Sequence, residues 1–277
     1  AETVFAISLL NSTTPLMIGI DNELTGMQYE DEIDDFRFYE RGLSIAEIQN
    51  LGWDNKVRNV LYVNKSATGL NDGSSWTNAY VDLQSALTSF VAENEIWVAA
   101  GSYTPHASDR TATFDMPNKT LLYGGFNGSE TLFSQRDPKA NITILSGDLS
   151  ANDNLTLTAS EATRQDNSYH VVTIRGNSLN VVVDGFTISG GNANGVDDIA
   201  CTTSASSQNY ATRGAAVYAN PYAINHYVTA TIQNCIIENN TATGVAVYYP
   251  YTACGVTSTV TDVNFESCII RNNYSKD

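Results

Sequence analysis

One pattern comes round three times in the last third of this chain, and it constrains the fold more than any other feature. It reads DGFTISGGN at 184–192, QNCIIENNT at 233–241 and ESCIIRNNY at 266–274. Phe186, Cys235 and Cys268 share one position, and Ile188, Ile237 and Ile270 share the position two residues on. Gly190, Asn239 and Asn272 then close the apolar pair. A second element, GAAVY at 214–218 and GVAVY at 244–248, recurs in phase and aligns Tyr218 with Tyr248. The last two units therefore run 214–243 and 244–275, which are 30 and 32 residues. Units this short cannot bury an apolar face alone, so stacked neighbours must supply the core.

The period inside each unit is that of strands. In TATIQNCIIENN the alternation points Ile232, Cys235 and Ile237 inward and Thr231, Ile236 and Glu238 outward. The break between Ile232 and Cys235 predicts a bend joining two short strands. Asn-Asn after Ile237 and Ile270 predicts a turn, because asparagine tolerates the left-handed region. Asparagines at matching turns can also hydrogen-bond from one unit to the next. Short β-branched strands, a bend, an Asn turn and this period together resemble the right-handed parallel β-helix of the pectate-lyase-like superfamily. The rival leucine-rich repeat lacks its regularly spaced leucines here.

Asn, Ser and Thr total 81 of 277 residues, a balance that suits turns and short strands. The net charge of −16 argues against a nucleic-acid partner, since phosphates would be repelled, and it permits cations. No apolar run approaches the ~18–20 residues a membrane helix needs. The chain starts at Ala1 and stops at Asp277 just after a repeat, which reads as a processed or excised piece of something larger. Cys235 and Cys268 read as stacked inward thiols that stay reduced. Cys201 and Cys254 lie in polar inserts of adjacent units and are expected to form a disulfide, which implies an oxidising compartment.

Residues 1–55 stand apart, holding 11 of the 30 acidic residues but only Arg37 and Arg41 as basic ones. LMIGID at 16–21 and IDDFRFY at 33–39 read as strands, and Ser44 with Glu47 forms a capping box for a short helix. The run IDDFRFYERGLSIAEI resembles the C-terminal end of laminin-G/concanavalin-like jelly-roll domains. Asp34 and Asp35 are candidate calcium ligands there, against the plainer reading of a solvated acidic edge beside Arg37 and Arg41.

After a polar linker, Leu83, Ala86, Leu87 and Phe90 are spaced as one helix face, between strands in LYVN and EIWVAAGSY. This passage resembles the N-terminal entry of secreted bacterial β-helix proteins, where a short helix covers the open end of the first turn of the stack. Residues 151–168 read as a polar excursion. The expected architecture is thus all-β: the C-terminal part of a jelly roll at 1–55, then the N-terminal, helix-capped part of a right-handed parallel β-helix at 60–277.

The resemblance also admits catalysis, because parallel β-helices include polysaccharide lyases and polygalacturonases. Asp197-Asp198 is the only adjacent acidic pair in the repeats, without the Gly-His-Gly or Arg-x-Lys companions of a polygalacturonase-like site. A lyase would need calcium-binding carboxylates and a basic residue. Asp148, Asp153, Asp197 and Asp198 with Arg175 or Arg213 are the candidates, and solvated loop charges are the plainer reading. The three histidines show no zinc spacing. No catalytic residue is assigned, and calcium is the one cofactor the acidic candidates would suit.

Seven of the 15 tyrosines fall between 210 and 251. Tyr218, Tyr222, Tyr227, Tyr248, Tyr249 and Tyr251 are the candidate binding residues, because Pro-Tyr recurs at 221–222 and 250–251 and exposed rings stack on sugars or partner surfaces. The alternative is that they seal the inserts against the strands. The resemblance implies an extracellular or cell-surface adhesion module that presents binding loops for a glycan or surface protein on a rigid β-helix within a longer chain. A polysaccharide-degrading enzyme with its catalytic units elsewhere in that chain is the alternative.

Overall fold

The computed structural model describes residues 59–92, 94–197, 211–221, 226–250 and 260–276. The chain divides into two units, Ala1–Trp53 and Asp54–Asp277, and the described residues all lie in the second. The jelly-roll reading of 1–55, with Asp34 and Asp35, falls outside them, as do Asp198, Cys201, Tyr222, Tyr251 and Cys254.

The described residues are mostly β, arranged in four sheets whose strand pairings are all parallel. The first sheet runs Val60–Val63, Glu95–Ala99, Leu121–Phe126, Val181–Asp184, Tyr227–Gln233, Val260–Glu266. The second runs Gly101–Tyr103, Thr143–Ser146, Thr187–Ser189, Ile236–Glu238, Ile269–Arg271. A third holds Phe114–Asp115, Val172–Arg175, Val217–Asn220 and Tyr248–Pro250, and a fourth Asn192–Ala193, Thr241–Ala242 and Tyr274–Ser275. From Glu95 onward the chain visits first, second and third sheet in turn, and the fourth joins between second and third from Asn192. Parallel neighbours cannot be joined by a hairpin, so each sheet's crossover runs through the others.

The sequence pattern explains why these segments are strands. Ile96, Leu122, Val183 and Ile232 stand in register across the first sheet and are wholly buried. Leu145, Ile188 and Ile237 do the same in the second, and Ile237 pairs with Ile270 as the repeat requires. These rows join one core with Phe114, Val172 and Val217 of the third sheet. The expected bend between Ile232 and Cys235 falls at Asn234, whose φ is 52°, matched by Gly185 at 82° and Ser267 at 51°. Cys235 is buried and Cys268 half-buried, both as free thiols.

The expected short helix forms at Leu83–Thr88. The Asp82 side chain accepts from Ser85 N at its start, the usual way an exposed first-turn amide is satisfied. Leu83, Ala86 and Leu87 pack into the main core with Val63, and Phe90 packs against it.

One alignment shifts. Val217 pairs with Tyr248 and Tyr218 with Tyr249, so Tyr218 and Tyr248 are not equivalent. A one-residue slip moves a side chain to the other face. Tyr248 therefore takes the inward position of Val217 and packs against Phe265, ring centroids 5.4 Å apart.

Candidate functional site

A cleft of about 450 Å³ opens beside the ends of second-sheet strands and the polar excursion 151–168. Its floor comes from two register rows. Ser146 and Ser189 are paired residues at the ends of their strands. Gly190, Asn239 and Asn272 follow, all with positive φ, at 76°, 58° and 52°. The left-handed turn thus leaves the second asparagine of each Asn-Asn pair to the core side and brings the first to the cleft. The wall is Asp148, Asp153, Asn154, Leu155, Leu157 and Arg164.

Arg164 holds this wall. It belongs to a 3-10 turn, Ala162–Arg164, and is only 1% exposed despite its charge. Its Nε donates to Thr156 O at 3.1 Å, its Nη1 donates to Asn239 O at 3.0 Å, and Nη1 lies 3.1 Å from Asp153 Oδ2. One side chain therefore ties the excursion to itself and to the floor. Asn167 repeats the arrangement, its Nδ2 donating to Asp153 Oδ2 at 3.0 Å and to Gly190 O at 2.7 Å. Asp148 closes the near end by accepting from the backbone of Asn152 at 3.2 Å and Asp153 at 3.1 Å.

Burial pushes the Asp153 carboxyl up to about 6, helped by the charges of Asp148 and Asp166 and opposed by the Asn167 hydrogen bond and Arg164. Its Oδ2 is held by Arg164 and Asn167, and its Oδ1 is shielded from solvent. At the rim, Leu155 is 100% exposed, an apolar surface beside a polar floor.

Among the described residues, the other charged candidates lie outside this cleft. Of the acidic set, Asp148 and Asp153 meet in this cleft. Asp197 accepts from Thr212 N at 2.9 Å and Thr212 Oγ1 at 2.7 Å, and it lies 3.9 Å from Arg213 Nε. Arg175 pairs with Asp115 at 2.9 Å. Neither Arg175 nor Arg213 lines the cleft; the basic residue there is Arg164, which sequence reasoning passed over. The signal was present, for Arg164 is the only basic residue in the polar stretch 151–168. Among the described residues, no group of three or more His, Cys, Asp or Glu side chains is placed to hold a metal ion.

Two of the candidate tyrosines, Tyr218 and Tyr249, stack on one another. Tyr218 is 2% exposed, so its ring offers no face to a ligand. It lies between the His170 ring, centroids 4.6 Å apart, and the Tyr249 ring, 6.4 Å away and nearly parallel. Arg213 sits 5.0 Å over the Tyr249 ring and donates from Nη1 to its hydroxyl at 2.8 Å. Burial raises the Tyr248 hydroxyl to about 12. Tyr227, 39% exposed, opens a strand of the first sheet, away from the third-sheet stack.

No family model matches the chain, and no curated protein or solved structure is significantly similar to it. Among the described residues, no helix is long and apolar enough to cross a membrane.

Proposed function

We propose that this chain is a non-catalytic extracellular surface or adhesion module, a right-handed parallel β-helix that presents a glycan-binding loop. The cyclic passage of the chain through parallel sheets supports the architecture. The observation that carries the function is the cleft, where hydroxyl and amide side chains on stacked strands face an excursion pinned by one buried arginine. Serine and asparagine exchange hydrogen bonds with sugar hydroxyls in both directions, and an exposed leucine can cover the apolar face of a ring. This reading places the recognition element beside the 151–168 excursion and not at the candidate tyrosines.

The degradative reading draws support from Asp153, whose carboxyl stands near 6 with a second carboxylate close by. A general acid must reach its substrate within hydrogen-bond distance. Asp153 presents one oxygen to Arg164 and Asn167 and shields the other, which favours binding over chemistry. The test is a glycan array with the full chain, run beside product analysis after incubation with neutral, amino-sugar and uronate polysaccharides. Retention of a glycan without cleavage is the expected result. Release of shortened products overturns the non-catalytic reading.

A further inference from the structure

We infer that the cleft takes a saccharide bearing protonated amines, a hexosamine oligomer, in preference to a uronate. The inference rests on the proposed glycan-binding role and narrows it to a chemical class. Two carboxylates line the cleft, Asp148 and Asp153, against the single guanidinium of Arg164. That guanidinium is 1% exposed and turned to Thr156 O, Asn239 O and Asp153. Its charge is thus spent on the wall, and the surface offered to a ligand is acidic. A carboxylate ligand entering there would meet like charge in a partly desolvated setting, where repulsion is screened less than in water.

Asp148 is the group placed to receive an ammonium. Each of its oxygens accepts one backbone N–H, and a carboxylate has about four acceptor sites, so acceptor capacity remains. Asp153 acts through space: a cation in the cleft favours its ionised form, which burial and the neighbouring Asp148 and Asp166 oppose. The neutral floor of Ser189, Asn239 and Asn272 suits the hydroxyls that distinguish a sugar from a simple amine. Stacked strands set the floor groups at a repeat of about 4.8 Å, a step close to that of an extended sugar chain. Leu155, wholly exposed at the rim, supplies the apolar contact.

The experiment is titration calorimetry of the full chain at pH 6 and moderate salt with four probes. These are the β-1,4-linked glucosamine hexamer, its fully N-acetylated counterpart, hexagalacturonate and spermine. The glucosamine hexamer is expected to bind at least tenfold tighter than the other three. Asp148→Asn should remove most of that preference, and Leu155→Ser, at a residue with no packing role, should weaken the hexamer severalfold. Equal or tighter binding of hexagalacturonate overturns the inference. So does spermine matching the hexamer, which would mean cation attraction alone. If the N-acetylated hexamer binds as well and Leu155→Ser weakens both, the charge inference fails and the glycan-binding reading stands. If no saccharide binds the folded chain, the glycan-binding reading itself fails.

Discussion

The Asn240 side-chain amide donates from Nδ2 to Asn273 Oδ1 at 3.0 Å, across one parallel strand step. The same Nδ2 lies 3.0 Å from the carbonyls of Ile188 and Glu238, and Asn240 Oδ1 accepts from Gly191 N at 2.9 Å. Asn273 repeats this one step on, donating to Ile237 O at 2.8 Å and Arg271 O at 2.9 Å. The residue before each, Asn239 and Asn272, is the left-handed one. The paired asparagines thus divide two tasks: the first turns the chain and the second bonds the turn to its neighbours.

This division sets a first prediction. Asn240 is wholly buried, so Asn240→Ala strands several backbone groups and should cost about 1–3 kcal/mol. Asn239→Gly keeps both the left-handed turn and the carbonyl that Arg164 uses, and should change stability by no more than about 0.5 kcal/mol. Urea midpoints of the two variants check this. A larger loss at Asn239 than at Asn240 would mean that the ladder carries little stability.

Much of the strand architecture was legible because the repeat fixes it redundantly. Ile188, Ile237 and Ile270 mark inward positions, and only one register buries the first two together. In the third sheet GAAVY and GVAVY match as strings, while the pairing sets Val217 against Tyr248, one residue off that alignment. Both registers place an apolar side chain inward, so the pattern could not choose between them. Arg164 stands out in the sequence as the lone basic residue of its stretch, but its burial was illegible for another reason. Its partners lie as far off as Asn239, 75 residues along the chain, and a polar excursion has no period that reports burial. Asp148 and Asp153 are legible as acidic candidates, but their grouping with Arg164 depends on tertiary contacts alone.

Arg164 should be the most sensitive charged residue of the cleft. Replacing it with Met leaves Asp153 buried without its cation and frees the excursion from the floor. Breaking such a pair by removing one partner costs about 3–5 kcal/mol. Arg164→Met should therefore lower the urea midpoint strongly, and in material that still folds it should abolish glycan retention. A variant that keeps wild-type stability would show that the excursion is held elsewhere.

Asp153 makes stability depend on pH in an unusual direction. Its carboxyl is raised from 3.8 to about 6, chiefly by burial, so the folded state binds its proton more tightly than the unfolded chain. Over that window the folded state holds more protons at this site, and stability falls as pH rises. The contribution is complete below 3.8 and is lost as pH passes through about 6. The midpoint of Asp153→Asn relative to wild type should therefore improve between pH 4 and pH 6. No change in that difference would mean that Asp153 titrates as an ordinary surface carboxylate.

The tyrosine stack yields the last prediction, and it separates packing from recognition. Tyr218 is almost wholly buried between His170 and Tyr249. Truncating a buried aromatic to alanine costs about 3–5 kcal/mol, from lost transfer energy plus the cavity left behind. Tyr218→Ala should show a loss of that order, whereas Tyr218→Phe gives up only the hydroxyl, which accepts a 3.3 Å bond from Asn220 Nδ2, and should cost about 1 kcal/mol. Glycan affinity of Tyr218→Phe should match wild type, while Leu155→Ser shows the reverse, with stability unchanged and affinity reduced. Paired thermal-unfolding and calorimetric measurements on both variants decide the matter. Weakened binding in a fully folded Tyr218→Phe would return the recognition surface to the tyrosines.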